Sequence, residues 1–415
     1  MDKKIREEVC MKYRYNEIYA DAGERSRYET LTRRLCELGH KPGEVRYFTA
    51  PGRTELCGNH TDHQHGLVLA GSVDVDTIAA VAENGSGKLR FFSEGFPSAV
   101  LSLNPRENEA APGSAAALVA GMIAMFADKA PLRGLDVCLS STVLPGSGLS
   151  SSASVEVLLG EIFNEWYGLG LTAVELARLG QRVENEFFGK PCGLLDQAAC
   201  AVGGVSWMDF RDSAAPVVEK LELDPEQYGY ALFLVSCGAD HADLTDEYAA
   251  IPAELKRISA VFGTDNLRAV DEDAFYDRLS ELRTVCGDRA VLRAMHVFDE
   301  NRRVFQMREA VSAGDFARFL DLVRASGLSS WRLLQNIAPR GSLTQPMALT
   351  LAVMEKVLCG EGACRVHGGG FAGTAQAFVP LDRADRFAAE VERLLPTASC
   401  QRRRLRAVGA AEVAL

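Results

Sequence analysis

The sequence predicts an α+β protein of two domains, and three observations carry that expectation. Its 415 residues are 47% hydrophobic and 24% charged, a length and composition that allow two or three cores in a soluble globular chain. Residues Leu135–Trp166 read as an apolar strand, a glycine and serine turn, and a helix. Further on, a strand-like run at Tyr230–Gly238 is followed by a charged, largely helical region and a second strand ending at Pro380.

The elements follow in chain order. Glu24–Leu38 is charged with leucines at helical spacing, and "HKPGEVRYFTAPGR" (His40–Arg53) reads as turn, short strand and turn. Leu67–Glu83 is rich in β-branched and small apolar residues and makes one or two strands. After the glycine and serine turn, Val155, Leu158, Leu159, Ile162, Phe163 and Trp166 fall on one face of a helix. Thr172 and Glu175 form a capping box for the next helix, with Leu176, Leu179, Val183 and Phe187 as its inner face. Tyr230–Gly238 is a buried strand, 251–334 is helical, and Cys364–Pro380 ends as a strand after a triple glycine.

Composition excludes several function classes. Forty-five Lys and Arg stand against 56 Asp and Glu, a net charge of -11 without a basic stripe interleaved with aromatics, so no nucleic-acid partner is expected. Arg402–Arg404 is a short solvated run. Eleven scattered cysteines lack a CxxC pair or zinc-type spacing, as in the reduced thiols of a cytosolic protein. The N-terminus is charged, and the most apolar stretch, "SAAALVAGMIAMFA" from Ser114, falls short of the roughly 20 residues that span a bilayer. A cytoplasmic protein without a membrane partner is expected; the sequence leaves the oligomeric state open, with a monomer as the default.

Four stretches can carry chemistry. In "LPGSGLSSSAS" (Leu144–Ser154) glycines let backbone N–H groups approach a ligand, and the dipole of the following helix favours an anion, so a phosphate fits here. A small-residue turn with an N-cap serine accounts for the same composition. Asp196 lies among apolar and small residues in "GKPCGLLDQAACAVGG", where a carboxylate needs a partner, catalytic or structural. "HGGGFAG" (His367–Gly373) is a ligand loop or a tight turn. "GRTELCGNHTDHQHG" (Gly52–Gly66) supplies Arg53 for a phosphate or carboxylate, and His60 and Asp62 on an extended turn. His63 and His65 read as isolated surface histidines, because no further ligand supports a metal site.

Taken together, the order of these stretches resembles the sugar kinases of the GHMP superfamily, the galactokinases in particular. "GRTELCGNHTDH" is similar to the family's Gly-Arg-Val-Asn-Leu-Ile-Gly-Glu-His-Thr-Asp-Tyr. "PGSGLSSSA" resembles its phosphate loop, with one residue fewer than some members have. "VENEFFGKPCGLLDQ" (Val183–Gln197) resembles its Pro-Cys-Gly-Ile-Met-Asp-Gln segment, and "HGGGFAG" its third motif. The resemblance spans about Phe48–Pro380. It implies a two-domain GHMP kinase fold, with an N-terminal domain over 1–210 that holds a mixed sheet and the phosphate loop, and a C-terminal sandwich-like α/β domain over 211–415.

It also implies ATP-dependent phosphorylation of the anomeric hydroxyl of galactose, with Mg2+. Asp196 would be the catalytic carboxylate and Arg53 would stabilise the transferring phosphoryl group. Glu55, Asn59, His60, Asp62, Gly193 and Tyr248 would meet the sugar. Pro145, Gly146, Ser147, Gly148, Leu149, Ser150, Ser151 and Ser152 would hold ATP, with Ser151, Ser152 and Glu184 serving the metal. Small-molecule sugar and ATP would be its only partners. Three departures stand out: the family's Asn and Glu are exchanged as Glu55 and Asn59, its tyrosine is His63, and its Trp-x-x-Tyr-x-x-Gly element is Ala115, Leu118 and Gly121. The exchange keeps galacturonate, N-acetylgalactosamine and arabinose open as substrates. A non-catalytic sugar sensor is the alternative from another class, opposed by the presence of both Arg53 and Asp196; mevalonate or homoserine kinases lack the sugar segment.

Overall fold

Runs of β-branched and small apolar residues assemble into two sheets. In chain order the strands are β1 (Tyr13–Arg14), β2 (Arg46–Cys57), β3 (Leu67–Glu83), β4 (Lys88–Ser93), β5 (Ala99–Ser102), β6 (Leu135–Ser141), β7 (Val205–Asp209), β8 (Val217–Leu221), β9 (Tyr230–Ser236), β10 (Ala363–Val366), β11 (Thr374–Pro380), β12 (Ser399–Arg403) and β13 (Ala411–Ala414). The α-helices are α1 (Tyr15–Ile18), α2 (Arg25–Glu37), α3 (Ala115–Ala127), α4 (Ser151–Tyr167), α5 (Ala173–Val183), α6 (Leu195–Val202), α7 (Thr245–Val261), α8 (Glu272–Asp277), α9 (Leu279–Cys286), α10 (Asp288–Ser312), α11 (Phe316–Ser329), α12 (Pro346–Leu358) and α13 (Ala384–Leu394). The structure is a computed structural model and describes residues 12–20, 22–95, 97–144, 146, 148–190, 192–238 and 244–415.

The first sheet is mixed and runs β1-β13-β2-β3-β6-β4-β5, with β7 on the other half of β3 and β8 beyond it. Leu67–Glu83 is one strand of 17 residues: Leu67–Gly71 pairs with β7 and Thr77–Glu83 with β6. The second sheet, β10-β11-β9-β12, is antiparallel throughout. A division after Phe210 leaves two strands of the first sheet on the far side, since β8 pairs with β7 and β13 lies between β1 and β2.

One element differs from the sequence reading in a way that matters for the site. Ala50–Gly52 does not end a short strand; β2 runs through it for 12 residues. Pro51 is tolerated because the register between β2 and β3 shifts between Pro51 and Arg53, an irregularity at which the missing N–H is least costly. Gly52 is needed for close approach, since a Cβ there would lie 3.1 Å from the Leu149 carbonyl oxygen. Arg53 and Glu55 are therefore presented from a strand, which fixes them better than a turn would.

Packing places α4 at the centre of the first half. Leu158, Leu159, Ile162 and Phe163 join Phe48, Val81, Phe91 and Phe126 in one core. The opposite face of α4 is buried too, including Glu156, Val157, Glu161 and Asn164, because α5 and α6 cover it. The Thr172 capping box starts α5 as expected: Thr172 Oγ1 accepts from Glu175 N (3.3 Å) and Glu175 Oε2 accepts from Thr172 N (2.8 Å). A second core joins the halves, bringing Leu56 and Leu69 of the first sheet against Leu232 and Phe378 of the second and Phe319 of α11. Arg402 and Arg404 lie at the surface, paired with Glu226.

Candidate active site

The glycine and serine turn leads directly into α4, whose start has no side-chain cap. Gly146 and Gly148 take φ of 76°, and Ser150, the residue before the helix, takes φ 62°. Ser150 makes no side-chain cap. Its hydroxyl donates instead to Asp196 Oδ2, so the N-cap role weighed from sequence is not what Ser150 does. The first-turn N–H groups of a helix left this way suit an anion. Pro145 and Ser147 lie outside the described residues.

Arg53 connects this loop to Asp196. Its Nε donates to Asp196 Oδ1 at 2.7 Å and its Nη1 to the Gly148 carbonyl at 2.5 Å, while its backbone N–H reaches the Leu149 carbonyl at 3.2 Å. The guanidinium is buried and the Asp196 side chain is 29% exposed, so the carboxylate is the accessible member of the pair and its partner is held behind it. Burial alone would raise the Asp196 carboxyl. The Arg53 charge and the hydrogen bonds from Arg53 and Ser150 outweigh it and hold the group down at about 2.

Beside them lies a second acidic group. Ser152 Oγ donates to Glu184 Oε1 at 2.8 Å, Lys190 Nζ reaches the same oxygen at 3.2 Å, and Gln197 Nε2 donates to Glu184 Oε2 at 2.6 Å and to Glu156 Oε2 at 2.9 Å. Burial, then the neighbouring Glu184 charge, raises the Glu156 carboxyl well above its usual range. Ser152 and Glu184 are thus brought together as the sequence suggested, and Ser151 opens α4 next to them.

The Gly58–Gly66 turn is held from behind by α10, which sequence reasoning missed. Glu300 is fully buried, and its Oε1 accepts from Ser326 Oγ (2.5 Å), Gly58 N (3.0 Å), Cys57 Sγ (3.2 Å) and Asn59 N (3.4 Å), while Oε2 takes Arg303. One turn earlier, His296 Nε2 donates to the Asn59 carbonyl at 3.0 Å; one residue later, Asn301 Oδ1 accepts from Leu67 N at 2.7 Å. In the sequence these residues look like an ordinary charged helix, and no local signal marks them.

Of the expected sugar-contacting residues, Asp62 and Gly193 are in direct apposition. A Cβ on Gly193 would lie 1.8 Å from Asp62 Oδ2, so any larger residue would displace the carboxylate. Burial raises the Asp62 carboxyl, opposed by the His63 backbone N–H and His60. The exchanged pair presents no free polar atom. Glu55 is buried in an ion pair with Arg365 Nη2 (2.8 Å) and accepts from Asn59 Nδ2 (3.1 Å). Asn59 is wholly buried; its Nδ2 also donates to the Gly368 carbonyl and its Oδ1 accepts from Asn336 Nδ2 (2.6 Å). His60 Nε2 meets the Gly369 carbonyl at 3.1 Å and Tyr248 Oη the Gly370 carbonyl at 2.6 Å, so the triple glycine is held between Asn59 and His60 of the turn and Tyr248 of α7. His63 is not an isolated surface residue, because its Nε2 lies 3.1 Å from His60 Nδ1.

Residues 37–83 match the model described as "Galactokinase galactose-binding signature", and residues 116–204 match "GHMP kinases N terminal domain". A galactokinase of Streptomyces coelicolor is 34% identical over 375 residues, covering 88% of this chain and 92% of the relative. The chain belongs to the galactokinase family. A galactokinase of Actinobacillus pleuropneumoniae is 27% identical over 81% of this chain and 85% of its own. Among solved structures, Lactococcus lactis galactokinase complexed with galactose superposes with a TM-score of 0.79 at 26% identity, covering 92% of this chain and 99% of that one. The mevalonate kinase of L. major, at 19% identity and a TM-score of 0.59, shares the fold alone. The two-domain GHMP kinase fold and sugar kinase class expected of the sequence are those of this family.

Proposed function

We propose that the protein transfers the γ-phosphoryl group of ATP to the anomeric hydroxyl of galactose, giving galactose 1-phosphate. The observation that carries this reading is the Arg53, Ser150 and Asp196 cluster at the mouth of the phosphate loop. Phosphoryl transfer asks chiefly for positioning and charge neutralisation. Arg53 is placed to meet charge on the transferring group, and the first turn of α4 to meet the phosphates. Asp196, held at about 2, is a weak base. It orients the sugar hydroxyl by accepting its hydrogen bond, and takes the proton late, once bond formation to phosphorus has made that hydroxyl acidic.

Asp62 and the backbone at Gly193 bind the sugar in this reading, with His60 and Tyr248 beside them. Ser152 Oγ and Glu184 Oε1 offer a hydroxyl and a carboxylate at the phosphate loop, the oxygen donors that suit Mg2+. Mg2+ held there would neutralise charge on the β- and γ-phosphates. Among the described residues no helix is long and apolar enough to cross a membrane, and the reaction needs only small-molecule partners. We place it in the cytoplasm of the cell, in a monomer.

ADP release with magnesium and ATP, measured against galactose, galacturonate, N-acetylgalactosamine and arabinose, tests the substrate. Galactose is expected to turn over fastest. A second reading is favoured by one observation: the family's glutamate is absent at Asn59, and Glu55 is neutralised by Arg365. Faster turnover of galacturonate would replace galactose by a sugar carrying a carboxylate at C6.

A further inference from the structure

The family's tyrosine position is His63 in this chain, and its surroundings form a directional chain of hydrogen bonds. At one end Leu267 N–H donates to Gln64 Oε1 at 3.1 Å, which fixes the amide so that Gln64 Nε2, with its two hydrogens, faces both the His63 carbonyl at 3.2 Å and His63 Nδ1 at 3.3 Å. His63 Nε2 faces His60 Nδ1 at 3.1 Å, and His60 Nε2 faces the Gly369 carbonyl at 3.1 Å. A carbonyl only accepts and the Gln64 amide nitrogen only donates, so the two ends dictate everything between them. His60 must carry its hydrogen on Nε2, His63 must carry its own on Nε2, and both rings must be neutral.

A proton added to either ring sets two N–H groups against each other somewhere along the chain. We propose that His63 is a positioning residue that locks His60 as the neutral Nε2–H tautomer, so that His60 keeps its N–H on the Gly369 carbonyl and holds the glycine loop against the turn that borders the sugar. The inference rests on the reading above that His60 borders the sugar. A tyrosine at this position could supply one hydrogen bond to His60, but could not pass the orientation on from Gln64 and Leu267. The lock ties the sugar turn to the third glycine motif on one side and to the segment before α8 on the other.

The charged and titratable groups facing His60 agree with a neutral ring. His63 and Asp62 face it from its own turn, His296 from α10, and Tyr248 of α7 reaches the adjacent Gly370 carbonyl. Burial and then the neighbouring His63 hold His60 down at about 3, although Asp62 pulls the other way, and burial holds His63 at about 4. His65 follows in sequence but is no part of the chain.

The test compares His63→Phe and His63→Gln in the full-length protein, with histidine 15N NMR and steady-state kinetics between pH 5 and 8. In the wild type, His60 is expected to give one neutral Nε2–H signal pattern across the range. His63→Phe frees His60 Nδ1 for protonation and removes the smaller of the two leading depressing causes, so the His60 pKa should rise above its wild-type value while burial still holds it below the ordinary histidine value of about 6.5. The KM for galactose should rise about five- to tenfold at pH 6, with kcat changed less than twofold. Glutamine can still donate to His60 Nδ1, so His63→Gln should restore the flat profile.

Melting curves of the variants separate a loss of fold from a loss of the lock. A His60 pKa that does not rise in His63→Phe, or a His60 that already titrates above pH 5 in the wild type, would overturn the proposal by NMR alone. If the NMR result holds but the KM does not move, the tautomer lock stands and the placing of His60 at the sugar is what fails.

Discussion

Replacing Glu300 probes how the sugar turn is built. Its own side chain is fully buried; Oε1 gathers Gly58 N–H, Asn59 N–H, the Ser326 hydroxyl and the Cys57 thiol, and Oε2 takes Arg303. In Glu300→Gln the amide oxygen can keep the first group of donors, but the amide nitrogen then faces the Arg303 guanidinium. Loss of that charge-assisted bond is expected to cost about 2–3 kcal/mol. In Glu300→Ala two backbone N–H groups and a half-buried arginine lose their acceptor, and the cost rises to about 4–6 kcal/mol. That is a large share of a typical folding free energy of about 5–15 kcal/mol. Urea unfolding followed by tryptophan fluorescence measures the stability, and the KM for galactose reports the turn, with a rise of about five- to tenfold expected in Glu300→Gln. If Glu300→Gln unfolds within about 0.5 kcal/mol of the wild type and binds sugar normally, Glu300 does not organise the turn.

Gly193→Ala should weaken sugar binding more than about tenfold, because its Cβ would lie 1.8 Å from Asp62 Oδ2 and force the carboxylate aside; unchanged affinity by calorimetry would remove Asp62 from the sugar site. Arg53→Ala should lower kcat by about 100-fold or more while changing the sugar KM little, and the reverse pattern would make Arg53 a binding residue. Asp196 sits at about 2 when folded, below the roughly 3.9 of a free aspartate, so its contribution to stability is complete above about pH 4 and fades as the pH falls through about 2. Carboxyl 13C NMR should therefore show no titration of Asp196 between pH 5 and 8, and an inflection in that window would contradict the Arg53 pairing.

Sequence reasoning reaches those parts of the molecule whose signal is local. The strand, turn and helix around Leu149 are legible because the hydrophobic period changes from strand to helix across a glycine and serine turn, and Thr172 with Glu175 starts α5 as a capping box does. Asp196 is legible as a carboxylate in need of a partner, although nothing within its own segment says that the partner comes from β2. Pro51 misleads, because proline and glycine punctuate most chains, whereas here the irregular register of β2 against β3 absorbs them. Glu300, His296, Arg365 and Asn336 stand more than 200 residues from the turn they hold. Their role depends on tertiary contact alone, so a charged helix such as α10 looks solvated until the fold places one face against β2 and β3. His63 needed the same information, since only the fold brings Gln64, His60, Leu267 and Gly369 into line.

The central claim is that Asp196 faces the reacting hydroxyl, with Arg53 and the phosphate loop around it. The most direct test is a single-turnover measurement with Asp196→Asn, magnesium, ATP and galactose, beside calorimetric titration of the same variant with galactose. The account predicts that sugar still binds within a fewfold of the wild type while phosphoryl transfer falls by at least about 1,000-fold. Phosphoryl transfer near the wild-type rate, with sugar bound, would show that another group does the work assigned to Asp196.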